Sequence, residues 1–165
     1  MSADFSKIGR QNRSKGSRFE LRTAELMRES LGFDLVRNLE QCRKDLHGDL
    51  VDRVTGKGPF GICIECKNRE FKWFNVLSVD CDNGPFEWIS KTVTDTRSQD
   101  YDKFLLVFRD QSNSKTYGLL YMPILCDFMV PEDQKVWVLQ GNVFLSPFDT
   151  MMDLIKWNLS KQQTI

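Results

Sequence analysis

Apolar residues recur at helical spacing over residues 17–31, SRFELRTAELMRESL. Phe19, Ala24, Leu26, Met27 and Leu31 fall on one side; Arg18, Arg22, Glu25 and Glu29 fall on the other. Ser17 is placed as an N-cap and Gly32 as a stop, so the spacing predicts a helix between them. Glu20 breaks the separation, because it lies four before Ala24 and seven before Met27 and so heads the apolar stripe. A carboxylate there is either a first-turn acid favoured by the helix dipole or a group aimed at something beneath the helix.

The pattern then changes to shorter apolar stretches. Residues 33–38 (FDLVRN) and 47–54 (HGDLVDRV) read as strands, separated by a polar loop over 39–46. A turn cluster, Thr55-Gly56-Lys57-Gly58-Pro59, precedes a third strand over 60–67, FGICIECK, which predicts a hairpin with the second. Strict alternation in that third strand puts Phe60, Ile62, Ile64 and Cys66 on one face and Gly61, Cys63, Glu65 and Lys67 on the other. A second helix is expected over about 85–99, opened by Asn83-Gly84-Pro85, with Phe86, Ile89 and Val93 on its apolar side. Residues 103–109 (KFLLVFR) read as a strand buried on both faces, with 115–121 as its hairpin partner. Short strands near 135–139 and 142–145 and a helix near 148–158 complete an α/β order, with helices flanking a central sheet.

Composition sets limits on this picture. With 165 residues, 41% hydrophobic and 28% charged, the chain has the size and mix of one globular domain. Its apolar runs fall short of the ~20 residues that span a membrane, and the N-terminus lacks the apolar core of a secretory signal, so a cytoplasmic or intracellular protein is expected. Five cysteines at irregular spacing argue for reduced, mostly buried thiols rather than a disulfide framework. Cys63 and Cys66 fall on opposite faces of one strand and read as core residues rather than zinc ligands.

Net charge is zero, yet its distribution is uneven. Residues 7–22 carry Lys7, Arg10, Arg13, Lys15, Arg18 and Arg22 against Glu20 alone. Gly9, Ser14, Gly16 and Ser17 are interspersed, so residues 1–16 are expected to form a flexible basic arm ahead of a single domain over 17–165. Such an arm suits phosphate binding, and it equally describes a solvated tail.

The residues that carry chemistry are Asp49, then a hairpin, then Glu65 and Lys67 side by side on one strand face. Mg²⁺ takes oxygen ligands, typically one or two carboxylates plus waters and substrate phosphate. Two acids from neighbouring strands can hold it from one side and leave the other open to a phosphate. A lysine two residues after the Glu emerges beside that position, where it can orient an attacking water or neutralise charge developing on phosphorus. Glu20, reaching from the first helix, would supply a further ligand. Asp45 and Asp52 are rival strand acids, but Asp45 falls in the loop and Asp52 on the opposite face from Asp49.

The strings KGSRFE (15–20), HGDLV (47–51) and GICIECKNRE (61–70) resemble the PD-(D/E)xK nuclease superfamily. The helix Glu just after Lys-Gly, ahead of a Gly-Phe strand, resembles the Holliday junction resolvases of archaea and their phage relatives. The resemblance implies a restriction-endonuclease-like fold, a central mixed β-sheet flanked by α-helices. It implies that Glu20 matches the helix acid, Asp49 the strand acid, and Glu65 and Lys67 the E-x-K pair. It also implies a homodimer and Mg²⁺-dependent cleavage of four-way DNA junctions, with Mn²⁺ expected to substitute. Gly48 departs from the pattern, which has proline before the strand acid.

Arg10, Arg13, Lys15 and Arg18 on the basic stretch, and Arg69 and Lys72 after the E-x-K strand, are the expected DNA contacts. Phe71, Trp73 and Phe74 could stack on unpaired bases or serve as core or dimer contacts, and Lys91 and Arg97 are further phosphate candidates. Trp137 and Phe144 are candidates for a dimer interface. His47, the only histidine, shares a face with Asp49 and reads as a strand-start residue. Rival readings are a restriction or repair endonuclease or an exonuclease of the same fold, a non-catalytic DNA-binding module, and a viral RNA-cleaving nuclease in which His47 joins a manganese site.

Overall fold

The computed structural model describes residues 3–39, 48–69, 88, 101–110, 114–122, 135–139 and 142–162. Helix α1 runs over Ala3–Leu31. Strands follow at β1 (Leu35–Arg37), β2 (Leu50–Asp52), β3 (Ile62–Arg69), β4 (Lys103–Asp110), β5 (Thr116–Tyr121), β6 (Trp137–Leu139) and β7 (Val143–Pro147), and helix α2 spans Phe148–Gln162. The seven strands form one sheet in the order β1-β2-β3-β4-β5-β7-β6. Among the described strands only the β3–β4 pair is parallel; the other pairs are antiparallel. This is a mixed α/β sheet of the restriction-endonuclease-like kind. A parallel pair needs a crossover of a dozen or more residues, and the chain between Arg69 and Lys103 supplies the length.

Helix α1 begins at Ala3, well before the expected cap at Ser17. Glycines and serines over 9–17 read as breakers, but each costs a helix only about 1 kcal/mol or less, and no proline, which costs about 3, occurs between residues 3 and 31. The helix ends where expected: Gly32 adopts φ +77° and its N–H donates to the Arg28 carbonyl at 2.9 Å.

The apolar stripe of α1 is buried as its spacing implies. Phe19, Ala24 and Met27 join Leu35, Leu50, Ile62, Ile64, Cys66, Leu105 and Val107 in one cluster, with Leu26 and Leu31 packed against it. Helix α2 covers the same face through Phe148, Met151, Met152, Leu154 and Ile155. Its approach to β5 is close: a Cβ on Gly118 would lie 2.7 Å from Met151 Cγ. The opposite face carries Cys63, Phe104, Leu106, Phe108, Tyr117, Leu119 and Leu145, with the buried Trp88 against them. Phe104 through Phe108 are all buried, as the uninterrupted apolar run predicts. Each such side chain contributes about 1.5–3 kcal/mol by leaving water. The expected second helix over 85–99 lies outside the described residues except for Trp88, which is helical.

Two strand boundaries differ from the sequence reading. The second strand covers only Leu50–Asp52, so Asp49 stands ahead of it at a bend. Residues 59–61 form a 3-10 turn with Phe60 at φ +56°, and β3 starts at Ile62 and continues to Arg69.

Candidate active site

Gly48 determines how the chain enters the site. Its φ of +94° lies where L side chains are strained, and a Cβ there would approach Cys63 Sγ to 3.3 Å. Proline, locked near −65°, cannot adopt it. The glycine that departs from the motif is therefore what this backbone requires. Asn38 Nδ2 donates to the Gly48 carbonyl at 3.1 Å and fixes the bend from the β1 side.

Asp49 follows and is buried. Its N–H donates to the Ile64 carbonyl at 2.7 Å, and its own carbonyl accepts the Asn38 N–H at 2.9 Å. Strands β2 and β3 share a single register pair, Leu50 with Ile64. Beyond it, the Asp49 carboxylate takes over the role of a backbone acceptor: its Oδ2 accepts the Cys66 N–H at 2.5 Å. The side chain is thus held within the plane where two strands part.

Glu65 and Lys67 share a face of β3, and Lys67 Nζ donates to Glu65 Oε2 at 3.1 Å. The Glu65 side chain is only 16% exposed, and it hydrogen-bonds with Asp49. Burial, reinforced by the Asp49 charge, pushes the Glu65 carboxyl up to about 7, against the opposing pull of the Lys67 charge and hydrogen bond. Asp49, Glu65 and Lys67 are therefore brought together as the strand pattern predicts.

Glu20 is placed differently. Its Oε2 accepts from Arg37 Nε on β1 in a partly buried ion pair. Glu20 stands on the helix face of the sheet near Cys66, whose thiol is hydrogen-bonded to Thr23 and pushed up chiefly by burial, then by the charges of Asp49, Glu65 and Glu20. Cys66 packs with α1, whereas Cys63 belongs to the opposite cluster, so alternation along β3 puts Glu65 on the far face from Glu20. Among the described residues no three His, Cys, Asp or Glu side chains are placed to hold one metal ion together. The acids that meet are Asp49 and Glu65.

This pair fits a hard divalent cation. The donors are carboxylate oxygens, the like charges meet in a buried place, and one carboxyl already holds its proton more tightly than usual. Cys63 and Cys66 are buried thiols with raised affinity for their protons, which makes them core groups rather than ligands.

The remaining candidates separate clearly. Asp52 caps a turn, accepting the N–H groups of Val54 and Thr55 at 3.0 and 2.9 Å, and those bonds draw its carboxyl below the usual range. Lys15 and Arg18 line a cavity of about 450 Å³ beneath α1. Arg13 is exposed on the same helix, and Arg10 lies on it with its side chain outside the described set. Arg69 ends β3, with its side chain also outside that set. Asp45, His47, Phe71, Lys72, Trp73, Phe74, Lys91 and Arg97 lie outside the described residues. Trp137 is 48% exposed on β6, at one edge of the sheet, and Phe144 is partly buried.

Sequence reasoning missed Arg37, the partner of Glu20, and Arg22, Asn68 and Arg109, which share the cavity with Lys15 and Arg18. Arg22 offered a signal, a third cation at helical spacing from Lys15 and Arg18; the other three are brought in by strand pairing.

The family model described as "Phage putative PDDEXK endonuclease" matches residues 11–159, more than half of the chain. No curated protein and no solved structure matches it.

Proposed function

The chain belongs to the family of phage PDDEXK endonucleases, and from that premise we propose that it is a Mg²⁺-dependent, structure-specific DNA endonuclease, a Holliday junction resolvase acting as a homodimer in the host cytoplasm. The observation that carries the nuclease reading is the meeting of Asp49, Glu65 and Lys67 at the parting of β2 and β3. The Lys15-Gly16 to Glu20 spacing ahead of a Gly-Phe strand supports the junction substrate. A two-fold dimer suits the paired incisions that a four-way junction needs.

Asp49 and Glu65 would hold the cation, and Mn²⁺ would be accepted by the same oxygens. The bound ion supplies positive charge to the scissile phosphate and acidifies a nearby water. Lys67 keeps its ammonium on Glu65 Oε2, within reach of a phosphate oxygen or the attacking water, and neutralises charge as the P–O bond breaks. The Cys66 N–H holds Asp49 Oδ2 in place, so the acid does not reorganise when substrate arrives. Glu20, anchored by Arg37, acts as a positioning residue from the helix face.

The test is incubation of the protein with a labelled four-way junction and a matched linear duplex, in Mg²⁺ and in EDTA, beside a Glu65→Gln control. Paired Mg²⁺-dependent cuts in the junction alone, lost in the control, are expected. Equal cutting of linear duplex would retain the nuclease and reject the resolvase; no cutting of either would reject both.

A further inference from the structure

Lys15, Arg18 and Arg22 recur along one side of α1, and the floor opposite them is the end of the β3–β4 pair. Asn68 and Arg109 are register partners there. By alternation with Cys66 and Val107, both of which belong to the cluster on the helix side of the sheet, Asn68 and Arg109 point to that side. The cavity between them, about 450 Å³, thus receives four cations and no carboxylate from its lining. Arg18 Nε donates to the Ser14 carbonyl at 3.3 Å, and Arg22 makes only a loose, exposed contact with Glu25 at 3.6 Å. Among the described residues, neither Lys15 nor Arg109 pairs with an acid.

Four exposed cations around one cavity, with no acid in its lining and, among the described residues, only Arg22 of the four ion-paired, raise the local potential and favour an anion there. The position identifies which. Asn68 follows Lys67 directly, so the cavity opens one residue along β3 from the candidate site, about 3.8 Å between Cα atoms, but on the other face of the sheet. A polyanion whose scissile phosphate lies at Asp49, Glu65 and Lys67 would pass over the ends of β3 and β4 and lay its next phosphates between α1 and Arg109.

We propose that the groove formed by Lys15, Arg18, Arg22 and Arg109 is a backbone-phosphate site that holds the DNA strand flanking the cut. This rests on the nuclease reading for its substrate, but it is a separate site with a separate readout. Arg presents planar, two-pronged donors to phosphate, and Lys15 a point charge. The contacts carry no base information, so they set affinity and its salt dependence rather than sequence choice.

The experiment titrates a short fluorescein-labelled DNA duplex, with Ca²⁺ in place of Mg²⁺ to prevent turnover, at several salt concentrations. The probe is bound to the wild type, to Lys15→Gln/Arg22→Gln/Arg109→Gln, and to Arg109→Lys. The slope of log affinity against log salt is expected to flatten by about 0.9 for each phosphate left without its cation, so by about 2.7 in the triple variant. Arg109→Lys should keep most of the slope, because it keeps the charge. In Mg²⁺ the triple variant should raise KM more than it lowers kcat. Thermal unfolding of each variant checks that the fold persists. An unchanged slope in the folded triple variant overturns the proposal, as does absence of DNA binding by the wild type. If the wild type binds with a groove-dependent slope yet cuts nothing, the groove stands and the nuclease reading falls. If it cuts while the slope is indifferent to the groove, the reverse holds.

Discussion

Asp49 Oδ2 accepts the backbone N–H of Cys66 at 2.5 Å, so the acid proposed to bind metal also closes the gap where β2 leaves β3. The two roles separate by substitution. Asp49→Asn keeps a carbonyl oxygen for the Cys66 N–H and removes a negative ligand. It should fold like the wild type and lose more than the ~10–100-fold in cleavage that outer-shell changes around a metal cost. Asp49→Ala also strands a buried N–H and should lose a further ~1–3 kcal/mol of stability. Urea denaturation and a single-turnover cleavage assay distinguish the two variants; equal stability of both would refute the structural half of this role.

Glu65 predicts the pH behaviour. Its carboxyl ordinarily titrates near 4.5 and is raised to about 7 in the fold by burial and by Asp49. The folded protein therefore binds this proton more tightly than the unfolded chain. The contribution is favourable below about 4.5 and is lost as pH rises to about 7. Above that range, in EDTA, Glu65→Gln should melt at a higher temperature than the wild type while failing to cut. The same proton must leave for a cation to bind, so the Mg²⁺ needed for half-maximal activity should rise by up to about tenfold per pH unit below neutrality. A metal requirement independent of pH between 5 and 7 would contradict the shift at Glu65.

Glu20 is ion-paired with Arg37 and separated by β3 from Glu65. Glu20→Gln should accordingly reduce cleavage by about 10–100-fold, the range of outer-shell changes, and less than Asp49→Asn does. Arg37→Met leaves a mostly buried carboxylate without its partner. Its cost should lie between the ~1 kcal/mol of exposed pairs and the ~3–5 kcal/mol of fully buried ones. If Glu20→Gln is as inactive as Asp49→Asn, Glu20 binds metal directly.

Gly48 stands at φ +94°, with Cys63 Sγ against its missing Cβ. Gly48→Ala should destabilise by about 1–3 kcal/mol, the usual size of such backbone strain. Gly48→Pro, which restores the commoner motif residue, should do worse, because its ring excludes this φ. Denaturant titration orders the three proteins; a proline variant as stable as the wild type would show that the bend is not needed.

These outcomes depend on how the chain encodes its site. Strands β4 and β5 were legible almost to the residue, because an apolar run and its hairpin partner are local signals. The meeting of Asp49 with Glu65 followed from a hairpin and an alternation of period two. Gly48 was legible as a departure from a motif, but its cause was not, since backbone angles depend on where β3 lies. Arg37 and Arg109 were invisible for the same reason: each acts across an interface between elements far apart in sequence. The start of α1 was misplaced because local breakers over 9–17 carry small penalties that a long helix absorbs.

Helix α1 extends from Ala3 and carries Lys7, Arg10 and Arg13 in the turns ahead of Lys15, while among the described residues its buried apolar positions begin at Phe19. Deleting residues 1–14 should therefore leave the melting temperature nearly unchanged. It should weaken DNA binding and flatten the salt slope by up to about 0.9 for each phosphate that the segment neutralises. This weakening should add to that of the groove variants, since Lys15, Arg22 and Arg109 remain in place. Titrations of a labelled duplex at several salt concentrations, with the deletion alone and combined with the groove substitutions, measure both effects. An unchanged slope would mean that phosphate binding starts at Lys15, and a combined effect no greater than the groove variant's own would mean that the two segments hold the same phosphates.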